Sequence, residues 1–367
     1  SNNVIESSFA QNSYIEKTGM YLNGKVGMDF YPTEKATLGI SFKNNGSPSE
    51  NDTQNTAFVR DSSNAIIQRV VADNFQDDSF KNQTFSAYYT QQLDSLGQNF
   101  SIDADLVTYD SGSKQLFKNF IYNNNNVLTY SDQINGDLPS EINIYAAKAD
   151  YYKPLPKGKF EAGAKVAFTE TDNEAIYTST VEGVTFPNYG LSNQFLYEEW
   201  INAAYVNFAT SLGKVDLQAG LRGEATSLKG NQLGNVEQTD SSFTRSYESL
   251  FPTFYASWRM DSLSNNVLSL SYSRRINRPY FMDLNPFISP LDRFTFYTGN
   301  PNLLPTFSNN ISITHTWKNI INATFSYSKT TDGINETLEI QDEIYYSRPG
   351  NIADSESYNF SLDGSIP

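Results

Sequence analysis

Among its 367 residues the sequence holds no cysteine and a single histidine. The first absence excludes a disulfide framework, thiol catalysis and Cys-ligated zinc; the second argues against His-rich metal sites and a Ser-His-Asp triad. Basic residues are also short, with 26 Lys and Arg against 41 Asp and Glu, for a formal net charge of −15. That balance opposes a nucleic-acid partner, because affinity for phosphates comes mainly from Lys and Arg. No apolar run reaches the ~18 residues of a transmembrane helix. Membrane barrels stay open to the chain, since their strands alternate and never run apolar. The start, "SNNVIESSFAQN", lacks the basic and apolar regions of a signal peptide, and the chain stops at "SLDGSIP" inside a strand-like run. We expect a single barrel domain truncated at both ends.

What is abundant is alternation, carried by 25 Phe and 24 Tyr. In "MYLNGKVGMDF" Met20, Leu22, Val26, Met28 and Phe30 share one face and Asn23, Lys25 and Asp29 the other, the period of a strand. After "PTE" comes "KATLGISFK", so the two runs read as a hairpin. The unit recurs at Thr84 to Gln91 with Phe100 to Tyr109, Ile142 to Tyr152 with Phe160 to Thr169, and Ile201 to Thr210 with Val215 to Glu224. It recurs again at Phe254 to Met260 with Val267 to Ser273 and at Ile311 to Trp317 with Ile321 to Tyr327. A final pair is expected near Ile334 to Ser347 and Ser357 to Ser365. Long polar connections, Asn44 to Asn82, Asp110 to Glu141, Thr171 to Tyr197 and Ser227 to Glu248, separate the hairpins.

Short turns thus alternate with long connections every ~50 to 65 residues, as in outer-membrane barrels. The fold class expected is all-β, an antiparallel transmembrane β-barrel with about fourteen strands of about 9 to 12 residues. Its Gly-, Lys-, Asp- and Asn-bearing face suits a hydrated lumen. Aromatics cluster beside the short turns: Phe30, Tyr31, Phe100, Tyr151, Tyr152, Phe160, Phe208, Trp258 and Trp317. They read as a girdle against outer-membrane lipid at the headgroup level.

One stretch breaks the alternation, "RRINRPYFMDLNPFISPLDRFTFYTGNPNLLP" from Arg274 to Pro305. Pro279, Pro286, Pro290, Pro301 and Pro305 fix φ and remove donors, which makes a stiff loop and no regular ladder strand. Gly299 is expected to supply a positive φ before Asn300-Pro301. "SYSRRINRPYFMDLNPF", Ser271 to Phe287, and "GNPNLLP", Gly299 to Pro305, resemble the C-terminal barrel of TonB-dependent receptors, most closely the outer-membrane protein β-barrel branch. "QAGLRGEAT", Gln218 to Thr226, and "SRPGNIADSESYNFSLDGSIP", Ser347 to Pro367, look like further landmarks in the same order. The pattern's usual Lys and Glu are replaced by Leu304 and Thr306.

The resemblance implies a larger barrel of about 22 strands, an N-terminal plug, an inner-membrane energising complex, and import of a scarce ligand such as a siderophore, cobalamin, a glycan or a peptide. It implies no catalysis and no cofactor. A passive surface ligand-binding or adhesin-like barrel and an outer-membrane hydrolase are the alternatives. The candidate residues are the motif-loop set Arg274, Arg275, Arg278, Pro279, Asp283, Asn285, Pro286, Gly299, Asn300, Pro301 and Pro305. Alternation sends Arg275 and Asn277 to the lumen and Arg274 outward. The arginines are open to pairing with Asp283 or Asp292, to plug or lipid contact, or to ligand contact. "DNFQDDSF", Asp73 to Phe80, and "NNNN", Asn123 to Asn126, lack calcium-loop spacing and read as solvated loop; His315 reads as a packing residue. No metal is expected.

Overall fold

The computed structural model describes residues 7–290, 295–341 and 344–365. They form one eighteen-stranded sheet: β1 (Ser7–Gly19), β2 (Leu22–Thr33), β3 (Ala36–Gly46), β4 (Ser49–Asp61), β5 (Ile66–Gln92), β6 (Asn99–Asn123), β7 (Leu128–Leu155), β8 (Gly158–Val181), β9 (Val184–Pro187), β10 (Asn193–Leu212), β11 (Val215–Leu233), β12 (Ser241–Arg259), β13 (Asn266–Asn277), then, after the helical turn α1 (Phe281–Leu284), β14 (Ile288–Pro290), β15 (Thr295–Thr298), β16 (Thr306–Trp317), β17 (Ile321–Gln341) and β18 (Ile344–Gly364). A meander runs β2, β3, β5, β6, β7, β8, β10, β11, β12, β13, β16, β17, β18, each strand antiparallel to the next. β1 and β4 prolong β2 and β3 beyond short breaks; they pair with each other, and β4 pairs with β5. Among the described residues no helix is long and apolar enough to cross a membrane.

The hairpins pair as their alternation predicts, but the strands are longer, up to the 28 residues of β7. The segments expected as long loops are mostly strand. Asn44 to Asn82 holds the end of β3, all of β4 and the start of β5, and Asp110 to Glu141 is β6 turning into β7. "DNFQDDSF" likewise lies within β5. Beyond the bilayer both faces of a strand can be wet, so the alternation vanishes while the backbone ladder continues. The final pair also differs: β17 runs on past Ile334 to Gln341 and returns as β18.

Two faces separate cleanly. On the outer face Val26, Met28, Phe30, Ile40, Val206, Phe208, Ile313 and Phe325 are exposed, the surface a barrel presents to lipid. Phe100 stands opposite Tyr151, and Phe160 opposite Phe208, in this outer row; Trp258 and Trp317 are exposed there too, as is Tyr31 beside a register shift. Tyr152, expected in the same ring, pairs with Asn99 and Glu161 in the opposite row and faces inward, because successive strand residues alternate sides. The inner face is hydrogen-bonded: Lys148 meets Asp103 at 3.4 Å and Asp150 at 3.5 Å, Ser86 donates to Asp105 at 2.6 Å, and Asn207 donates to Glu161 at 2.9 Å.

Glycines give this face a recurring joint. Asp29, Gly39 and Tyr88 lie side by side on β2, β3 and β5, and the Tyr88 hydroxyl reaches across the glycine to Asp29 at 2.7 Å. Asp150, Gly163 and Tyr205 repeat the arrangement on β7, β8 and β10 at 2.8 Å, and Gln115, Gly136 and Tyr177 repeat it on β6, β7 and β8 at 3.0 Å. A Cβ on any of these glycines would stand 2.1 to 2.6 Å from the tyrosine ring. The glycine is therefore the floor on which the ring lies.

Several turns share another device. Asp94 and Asp261 begin two short turns, and their carboxylates accept backbone N–H bonds from Leu96 and Gln98, and from Leu263, Asn265 and Asn266. Asp61 and Asn123 do the same at the opposite end. Three residues after each stands a positive φ, at Gly97, Ser264, Asn64 and Asn126, so the Asx group closes the turn while the left-handed residue restores the strand.

Gly163→Ala should lower the stability of the refolded barrel by about 1–3 kcal/mol, read as a shifted urea midpoint of tryptophan fluorescence. Gly24→Ala, with open space around it, should stay within about 0.5 kcal/mol. A second expectation concerns acid. The Asn265 N–H foremost, with Asn266 and Leu263, holds the Asp261 carboxyl below its ordinary value. Its contribution is then full above the unfolded pKa of about 3.9 and is lost as pH falls through the lower folded value. Asp261→Ala should therefore destabilise at pH 7, and the gap from the parent should close under acid below about pH 4; a gap unchanged down to pH 2 would contradict it.

Candidate functional site

The motif loop, residues 278–305, connects β13 to β16, which pair directly beneath it. It does not stand away from the sheet. Leu284, Phe287 and Leu303 are buried against Ala175 and Tyr177 of β8, Phe195 and Tyr197 of β10 and Leu228 of β11. These wall residues belong to the inner row of Tyr205, Asn207 and Glu224, so the loop folds back across the lumenal face. Burying such a side chain stabilises by roughly 1.5–3 kcal/mol, which makes three of them enough to hold the loop down.

Charge fixes its two ends. At the first, Arg278 donates to Glu224 at 2.5 Å and to the Thr226 hydroxyl at 3.2 Å, with Glu199 at 3.9 Å. Glu224 also takes Arg222 at 2.6 Å, and the phenols of Tyr197 and Tyr247 stand beside this group. The ion pairs are mostly out of water, with side-chain exposures of 23% for Arg278, 15% for Glu199 and 10% for Glu224. At the second end, Arg245 of β12 donates to the backbone carbonyls of Leu303 and Pro301. Asn351 of β18 clasps Leu304 through both its N–H and its carbonyl, and Asn300 donates to the Pro349 carbonyl.

The expected residues fall as follows. Arg274 lies on the outer face over the Phe307 ring at 4.8 Å, and Arg275 is exposed in the inner row. Arg278 does not pair with Asp283, which accepts the Tyr297 hydroxyl at 2.9 Å; Asp292 lies outside the described residues. The carboxylates that Arg278 needs come from wall strands, which bring Glu199 and Glu224 to one spot. Gly299 has no positive φ. A Cβ there would stand 2.2 Å from the Asn285 carbonyl and 2.7 Å from that of Asp283. Its small size lets two backbone segments meet, with Gly299 N donating to Asn285 and Asn300 N to Asp283. Asn285 also caps Phe287 N, Pro286 accepts the Thr298 hydroxyl, and Pro279 and Pro305 bound the loop. Despite its prolines the loop holds the two short strands β14 and β15. Glu199, Tyr177, Phe195 and Arg245 carry no motif; only their inner-row parity singles them out.

An apolar outer face, a hydrogen-bonded polar inner face and a loop latched inside the wall are those of an outer-membrane β-barrel. The outer membrane protein beta-barrel family matches residues 91–367, and the chain belongs to that family. No curated protein sequence matches it. Three solved structures share its fold at a TM-score of 0.50: the ferric-catecholate import receptor Fiu of E. coli K12 (8% identity), the siderophore receptor PiuA of Acinetobacter baumannii (10%) and the ferric yersiniabactin uptake receptor FyuA of Yersinia pestis (8%). The alignments cover 100%, 98% and 97% of this chain but 63%, 62% and 62% of those receptors. The chain thus shares the fold of the barrel portion of these receptors, spanning less than two thirds of their length, and its family places it in the cell outer membrane.

Arg278→Ala leaves two carboxylates facing each other in a mostly dry site, which costs about 3–5 kcal/mol. The meander should persist as a heat-modifiable band while chymotrypsin now cuts the loop at Phe296 or Tyr297. A loop as resistant as the parent's would show that the latch is not what holds it.

Proposed function

We propose that the full-length protein is a plugged receptor that imports a scarce ligand with energy from an inner-membrane complex. The observation carrying this reading is the motif loop, latched on the lumenal wall where a plug or an arriving ligand passes. A passive adhesin has no need of a rigid element on its inner side. In this reading the present chain is one barrel domain, and a plug domain precedes it in the whole protein. Arg275, exposed in the inner row, meets plug or ligand; Arg278 positions the loop; Arg274 on the outer face meets lipid phosphates, a geometry guanidinium suits. Phe100, Tyr151, Phe160, Phe208, Trp258 and Trp317 sit at the headgroup level.

The test uses the whole protein in its own cells. It should fractionate with the outer membrane, migrate faster unboiled than boiled, and support growth on its limiting nutrient in a way that a protonophore abolishes. Accumulation that ignores the protonophore, with the barrel intact, would favour the passive alternative.

A further inference from the structure

Large aromatic rings exposed on a wet face call for an explanation. On the lumenal side Tyr88 and Tyr205 lie on glycines with their hydroxyls satisfied. Three others are not disposed of in this way. Phe80 of β5 and Tyr109 of β6 both point inward, their centroids 6.0 Å apart. Tyr280, at the start of the motif loop, packs on Phe281 at 4.6 Å and lies within electrostatic reach of the Tyr109 phenol. Phe80 is 39% exposed and Tyr280 59%. The wall next to them is polar: Asp78 accepts the Gln76 amide at 2.8 and 3.1 Å, and Ser113 stands opposite Asp78. The cations nearest along these strands, Lys81 and Lys114, alternate onto the outer face.

We propose that this patch is a saccharide platform on the import path, taking a neutral polyhydroxylated ligand whose C–H face lies on Phe80 and Tyr280 while its hydroxyls meet Asp78 and Gln76. Aromatic faces give an apolar floor, and carboxylate and amide groups match a ligand that both donates and accepts. Among the described residues an anionic ligand, a ferric catecholate included, finds no guanidinium or ammonium here to offset Asp78. The proposal rests on the receptor reading only for the route by which the ligand arrives.

Binding of maltohexaose, cellohexaose, xylohexaose and chitohexaose to the purified full-length protein, followed by titration calorimetry, tests it apart from transport. At least one should bind, and Phe80→Ala and Tyr280→Ala should each weaken it about tenfold. Leu96→Ala, on a short turn at the far end, should leave it unchanged, and heat modifiability should show all three variants folded. Failure of all four sugars to bind overturns the proposal, as does binding that neither aromatic variant weakens. So does a ferric catecholate or spermine binding in a Phe80-dependent way in place of the sugars; spermine would make the patch a cation site. Sugar binding without protonophore-sensitive uptake would overturn the transport reading and leave this one standing.

Discussion

The structure depends on one constraint: in hydrocarbon each backbone N–H and C=O must find its partner on the next strand, because no water is there to take its place. That requirement fixes the register of the whole meander, and register decides which residue of every strand meets lipid and which meets the lumen. The outer row can then be Val, Ile, Phe and Trp, and the inner row can carry Asp, Lys, Glu and Tyr without any of them being stranded in lipid. It also explains the long strands. Once a ladder has been imposed across the membrane, continuing it into water adds paired backbone at little cost, so polar segments stay extended.

Three separated sequence landmarks meet at the loop. The stretch Gln218 to Thr226 supplies Arg222, Glu224 and Thr226, the motif loop supplies Arg278, and the segment from Ser347 supplies Pro349 and Asn351. They belong together because each holds one end of the same loop. The departures at Leu304 and Thr306 fit this picture. Asn351 grips Leu304 by its backbone, and Thr306 uses its hydroxyl on the Asp332 carbonyl at 2.9 Å, so neither contact needs a charged side chain.

How legible this was depended on range. Period-two alternation exposed the pairing of β2 with β3 or β10 with β11, because in the bilayer each face has one chemistry. The same signal failed in β4 and in the outer half of β5, where Asn, Gln, Thr and Asp occupy both faces. Arg278 stands out in the sequence, and its nearest carboxylates along the chain lie within the loop, but Glu199 and Glu224, distant in sequence, are the ones that the register of the wall strands brings near. At Gly299 the sequence suggests backbone freedom, whereas the space between two carbonyl groups is what the position requires. Tyr152 adjoins Tyr151 in sequence, but neighbours in a strand look opposite ways.

The tyrosine bridges over glycine carry one more consequence. Each spans three strands, so a phenol finds its acceptor only when the first two strands are already correctly aligned and the third has docked. A slip by one residue places a side chain where the glycine stood and turns the acceptor to the other side. Each arriving strand thus proofreads the pair laid down before it, and at three places along the wall a misaligned assembly intermediate is refused the contact that would let it proceed.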